Sequence, residues 1–276
     1  MLGKLIKNDI KSAARTVVFI YFALLIAMGA MGVSLIFDVF IAGAWSSVAL
    51  ILISLVAVLV TIFTVFMDFR KTMFGDRGYL TNSLPVTSVS LLFSKMVTSM
   101  FWILISYAVF TAATIGVAAF QWNEKNQEVN LAEILTQLFS LSGLPSFDVL
   151  KKVLIITAIK LIFVVGIAVS AVFFSMTLSN IRPFQSLGLI GTILFFFIIV
   201  GLFALAGSQI TKVFDLNILV NADASLGIAT TTADALTVRE SGGFTISLSQ
   251  TIFHLLLCVV FFVINSELLE KKVNLK

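Results

Sequence analysis

Charge is scarce in this chain. Only 12% of its 276 residues are Asp, Glu, Lys or Arg, while 59% are hydrophobic, against soluble norms of roughly 25% and 45–50%. So few charges cannot cover a globule of this size in water, which excludes an ordinary soluble domain and predicts an integral membrane protein. The lone cysteine, Cys258, rules out an internal disulfide, and its place in an apolar run reads as a small buried hydrophobe. With one histidine, His254, a zinc site of ordinary ligand spacing is excluded as well. The patterns G-x-x-x-x-G-K-[ST], H-E-x-x-H and G-x-S-x-G are absent. The chain is therefore expected to hold no catalytic site and no cofactor of its own.

Ionisable groups are also missing from the apolar runs. Asp38, Asp68 and Glu267 stand at run ends, and only Lys160 lies inside, on the order of 10 Å deep. Its stem either snorkels to the outer interface or carries the ammonium into a substrate path between helices. His254, near the outer end of the last run, reads as a satisfied polar residue facing neighbouring helices. Ion-coupled carriers need more intramembrane groups than this. No internal repeat is visible, so an inverted-repeat transporter gains no support.

What the chain does have is long apolar runs. Six of them, at about 17–40, 46–67, 96–120, 153–178, 184–205 and 248–264, each approach or exceed the roughly 20 residues that cross a hydrocarbon core. Backbone groups in lipid must pair within their own segment, so the runs are expected to be helices. The expected fold is a single all-α transmembrane domain, 1–276. Residues 1–15 open it as an amphipathic interfacial helix, with Leu2, Leu5, Ile6 and Ile10 on one face and Lys4, Lys7, Lys11 and Arg15 opposite. A signal peptide fits less well, because the following run is about twice the usual apolar length of 7–15 residues.

The basic residues set an orientation. With six crossings and the N-terminus inside, 12 of the 18 Lys and Arg fall on the cytoplasmic side and five outside, Lys160 being within a span. Both termini are then cytoplasmic, in the cell membrane. The external segments are 121–152, with a capping-box helix from Asn130, and 207–247, expected to fold as helical pieces. Small residues at four-residue spacing, Ala108, Ala112 and Gly116 on one run and Gly166 and Ser170 on the next, favour close helix packing.

The most charged interruption, 68–95, is expected to face the cytoplasm. Its first part mixes Phe69, Met73 and Phe74 with Arg70, Lys71, Asp76 and Arg77. A short helix exposing Met73 and Phe74, rimmed by charge, fits a protein interface; the other reading has these side chains dip into lipid headgroups. Gly78 reads as a helix stop, and 87–95 as an oblique helix re-entering the membrane with Val89, Leu92 and Phe93 toward lipid.

Gly78-Tyr79-Leu80, Leu84-Pro85-Val86-Thr87, Leu91-Leu92 and Ser94-Lys95 together resemble the cytoplasmic loop of ABC-2 type transporter permeases of Gram-positive bacteria. The six spans, the interfacial helix and the long segment before the last span are similar in arrangement. The resemblance implies a type V exporter fold. It also implies a dimer with a second permease chain, the same or related, and two separate ATP-binding subunits that hold ATP and Mg. Residues 70–77 would be the coupling helix, with Arg70, Lys71, Met73, Phe74, Asp76, Arg77 and Tyr79 meeting the ATPase. The expected function is thus ATP-driven export of an amphipathic or hydrophobic cargo, whether peptide, lipid-like molecule or drug. An ion-coupled carrier or channel, and a non-transporting membrane sensor or immunity component, are the alternatives. Nucleic acid is not an expected partner.

Overall fold

The computed structural model describes residues 2–36, 40–75, 87–123, 147–181, 184–214, 216–221, 223, 225–230 and 244–271. Six long helices dominate: α1 (Leu2–Ile36), α2 (Phe40–Met73), α3 (Ser88–Asn123), α4 (Phe147–Ser179), α5 (Gly188–Val213) and α6 (Leu248–Lys271). Three short strands, β1 (Asn217–Val220), β2 (Leu226–Ala229) and β3 (Phe244–Ser247), lie between α5 and α6. Among the described residues five helices are long and apolar enough to cross a membrane, and six if the bent α1 counts as one span. Their outward faces are apolar, with Phe19, Phe22, Phe63, Ile190 and Phe197 each more than 60% exposed. Water tolerates no such surface, so it belongs in lipid. The protein is a helical membrane protein.

Several helices outrun the hydrocarbon. α2, α3 and α4 hold 34, 36 and 33 residues, roughly 50 Å each against a core of about 30 Å. A helix leaving lipid keeps its backbone bonds until something breaks it, and this corrects two expectations. Residues 70–73 are not a separate coupling helix but the last turn of α2. Residues 88–95 are not an oblique piece but the first turns of α3, N-capped by Thr87, whose Oγ1 accepts the Ser90 amide at 3.4 Å. Leu92, expected toward lipid, is buried there, while Val89 and Phe93 are exposed. The stop after α2 is Gly75, not Gly78, which lies outside the described residues. The Phe74 and Gly75 amides both donate to the Arg70 carbonyl, and a Cβ on Gly75 would sit 2.9 Å from the Lys71 carbonyl oxygen. At the other end of the chain, α1 bends by 53° between Leu2–Arg15 and Val17–Ala30, where an interfacial segment is expected to give way to a span.

The chain forms two compact units. The first comprises Gly3–Asp68 and Phe101–Ser142. Its core pairs Ala13 and Val17 with Val65 and Trp102, and Leu24 and Ala27 with Leu50, Ala57, Ala113 and Val117. Rising numbers on α1 meet rising numbers on α3 and falling ones on α2. α1 and α3 therefore run parallel, with α2 antiparallel to both. Tyr21 reaches Ser106 Oγ at 2.5 Å across the parallel pair. The α3 face that packs within this unit carries Trp102, Ser106, Ala113 and Val117; Ala108 and Ala112 are exposed, so they make no close helix packing among the described residues, and packing between subunits is untouched by this.

The second unit comprises Phe69–Met100 and Gly143–Lys276. Lys160 meets Gln250, and Thr177 Oγ1 lies 2.5 Å from Asn265 Oδ1, so α4 and α6 are parallel. α5 runs against both: Thr192 bonds Ser179, Ile199 packs with Ala171, and Phe203 touches Phe261. The turn between α4 and α5 is a 3-10 stretch, Phe184–Leu187, ending at Gly188, whose φ of 52° is left-handed backbone that glycine adopts without strain.

The 207–247 segment corrects a third expectation. Residues 207–213 continue α5, and the described residues beyond it hold no further helix before α6 but an antiparallel sheet of order β2-β1-β3, with Asn217 opposite both Ala229 and Ser247. β-Branched Ile and Val line one face with Leu and Phe, and Val220 and Phe244 pack on Val149, Val153 and Ile156 of α4. The Leu248 amide donates to the Leu216 carbonyl at 2.8 Å, so the sheet caps the start of α6.

The β1–β2 turn is held by Asp223, whose Oδ1 accepts the Ser225 hydroxyl at 2.8 Å and its amide at 3.1 Å. These bonds, the hydroxyl foremost, hold the carboxyl below its ordinary range. A depressed acid stabilises the turn above its unfolded pKa, about 3.9, and that support is lost as pH falls through the lower folded value. A carboxyl-carbon NMR titration should place the Asp223 midpoint below about 3.9, and Ser225→Ala should raise it. A wild-type midpoint at or above the ordinary value would refute the turn geometry.

Candidate functional site

Two places gather the candidate residues, both within the second unit. The first is the end of α2. Phe69 and Met73, one helical turn apart, are 1% and 2% exposed. Phe69 lies flat against Phe173 of α4, with ring centroids 3.7 Å apart and planes 5° from parallel, and Phe74 meets Phe69 edge-on at 5.9 Å. The exposed Met73 expected of an interface is thus buried against its own chain, because the face that carries it already belongs to the packed unit. Phe74 and Arg70 are half-buried and Lys71 is exposed, so those three remain at the surface. Asp76, Arg77 and Tyr79 lie outside the described residues. Nearby, Lys95 is buried at the start of α3, and Phe93 meets Phe262 of α6 edge-on at 6.2 Å.

The α2 end, the α3 start and the C-terminal ends of α4 and α6 therefore meet in one layer. α4 and α6 are locked there by Thr177 and Asn265, both no more than 2% exposed. Such a bond inside a membrane protein contributes about 0.6–2 kcal/mol. Its chief effect is to fix the register of the two helices.

The second place is the opposite end of the same helix pair. Lys160 Nζ donates to Gln250 Oε1 at 3.4 Å. Lysine side chains on a helix lean toward its N-terminus, and here that carries the ammonium to the level of residue 250, two positions into α6. Lys160 thus reaches toward the N-terminal end of α4 and ends on a neighbouring helix. His254, one turn after Gln250, is half-buried and close enough for the Lys160 charge to act on it. Its Nδ1 is buried and has no hydrogen-bond partner among the described residues, against the expectation of a satisfied ring. A further turn on, Cys258 accompanies Ser170 and the surface of Gly166. Gln250, His254 and Cys258 share four-residue spacing, a polar stripe legible in the sequence once the partner helix is known. Phe173 carried no such signal.

Comparison of the chain with protein-family models, curated proteins and solved structures finds no match.

Proposed function

We propose that the chain is the membrane-spanning subunit of an ATP-driven exporter, worked by a separate ATP-binding protein that docks where α2 leaves the membrane. The observation that carries this reading is the clamp of Phe69 on Phe173. It makes the α2 end a stiff handle on α4, so a push on residues 70–77 reaches the spans rather than bending a loop. Arg70, Lys71 and Phe74 are left to meet the partner, joined by Arg77, while Phe69 and Met73 transmit the motion inward. The resemblance of the 78–95 segment to ABC-2 permeases supports the same partner class. In this reading the layer and both termini are cytoplasmic and the sheet is external, an orientation that the distribution of Lys and Arg along the chain supports. Two copies of the chain, or this chain with a related one, would face two ATPases.

A photo-crosslinking phenylalanine at position 74, in native membranes, should yield an adduct with a protein that photoaffinity ATP analogues also label. Arg77→Glu should cut the ATPase activity that co-purifies with the chain by about a hundredfold, since reversing a charge at an interface costs several kcal/mol and about 1.4 kcal/mol is already tenfold. Phe74→Ala should lower it less, by the loss of one apolar contact. A position-74 adduct with no nucleotide-binding protein, or unchanged activity in both variants, would remove the reading.

A further inference from the structure

The end of the α4–α6 pair beneath the sheet holds a cation that no counter-charge among the described residues meets. Among the described residues no carboxylate pairs with Lys160. The nearest acids on its own helices are Asp148 and Glu267. They lie roughly 18 Å from Lys160 along α4 and 20 Å from His254 along α6, at 1.5 Å per residue. An ammonium at the end of a membrane span that is matched only by a neutral amide is costly, and such groups serve ions or substrates. The buried Nδ1 of His254 is a second unmatched polar atom on the same face. Gln250 holds Lys160 in place by accepting one of its three protons, which leaves two free. In the tautomer that carries its proton on Nδ1, the imidazole adds a third N–H one turn deeper.

We propose that Lys160 and His254 form a binding site for the anionic oxygen group, carboxylate or phosphate, of an amphiphile that enters from the bilayer. The flanking surface decides between an amphiphile and a dissolved anion. Val164, one turn along α4 from Lys160, is 37% exposed, and Ile156 and Leu257, one turn from Lys160 and His254, are half-buried. A ligand that reaches the pair keeps its tail in hydrocarbon while its head accepts from Nζ and Nδ1. Charge-assisted bonds of this kind are about twice as strong as neutral ones. The inference rests on the export reading only for its purpose: it would make the head the part of the cargo that the spans recognise.

The test needs no ATPase. The full chain, reconstituted in phosphatidylcholine nanodiscs, is titrated with dansyl-undecanoic acid and with its methyl ester. The acid should lose about tenfold or more in affinity on Lys160→Met, and less on His254→Leu, while Lys160→Arg retains binding. The ester should be indifferent to all three. Equal binding of the acid to wild type and Lys160→Met would overturn the site, as would displacement of the probe by millimolar inorganic phosphate, which would assign it to a small soluble anion. Should Lys160→Met fail to fold, Lys160→Gln and the acid-to-ester ratio on the wild-type chain decide: no preference for the acid refutes the proposal. A missing ATP-binding partner would sink the export reading and leave these titrations unchanged, so the two failures are distinguishable.

Discussion

Phe173→Ala is expected to cost the chain about 2–3 kcal/mol of stability and to free the end of α2. Phe173 is 1% exposed and lies face to face with Phe69, itself 1% exposed. In water the loss would reach 3–5 kcal/mol, but part of that is transfer free energy. A helix unfolded from its neighbours within a membrane stays in an apolar medium, so the transfer term shrinks and the packing term remains. Removing roughly 100 Å³ at about 24 cal/mol per Å³ gives a loss near 2.4 kcal/mol. The near-parallel rings gain little from their quadrupoles, which favour offset or edge-on pairs. The pair should therefore couple at the low end, about 0.5–1 kcal/mol in a double-mutant cycle with Phe69→Ala. Unfolding of the purified chain in mixed micelles by SDS measures both quantities. Phe173→Leu should recover more than half the loss. A Phe173→Ala cost below about 1 kcal/mol would mean that the α2 end is not clamped.

The clamp also marks how far the sequence could be read. Helical spacing put Phe69 and Met73 on one face, which is right, and a charged rim suggested a partner. What spacing could not supply was the occupant of that face, a ring 104 residues further along the chain. The spans were legible because lipid leaves the backbone only one open-ended solution, and the apolar runs state their own length. Their ends were not, since α2 and α3 continue as helix into the polar interruption until Gly75 and from Thr87. The sheet was hidden for a different reason. Its strands are four residues each, and β1 pairs with a strand 30 residues away, as Asn217 does with Ser247; a local pattern does not record such a pairing. At Lys160 the sequence singled out the residue and left its partner open, because the choice between water and Gln250 is made by the parallel register of two helices far apart in the chain.

Glycine offers a sharper trial of that register, because the same residue should respond with opposite signs at three positions. At Gly191, on the first turn of α5, an added Cβ would lie 2.8 Å from Leu187 Cβ and 3.4 Å from Ser179 Cβ. Neither neighbour is a flexible tip: both are anchored at their own backbones, and Ser179 is held to Thr192 by a 2.8 Å hydrogen bond. Gly191→Val should therefore force α5 away from α4 at a cost of about 2–3 kcal/mol, and Gly191→Ala about 1 kcal/mol. At Gly166 the nearest atom to an added Cβ is Met100 Cε, 3.3 Å away at the end of a pliable thioether. That neighbour can move, so Gly166→Ala should change stability by less than about 0.5 kcal/mol. At Gly201 nothing lies within 4 Å. There the alanine gains helix propensity without a clash, and Gly201→Ala should stabilise by up to about 1 kcal/mol. SDS unfolding of the three alanine variants should rank them in that order. If Gly191→Ala and Gly201→Ala shifted stability in the same direction, the close approach of α5 to α4 at Ser179 would be wrong, and the antiparallel packing built on it would need another register.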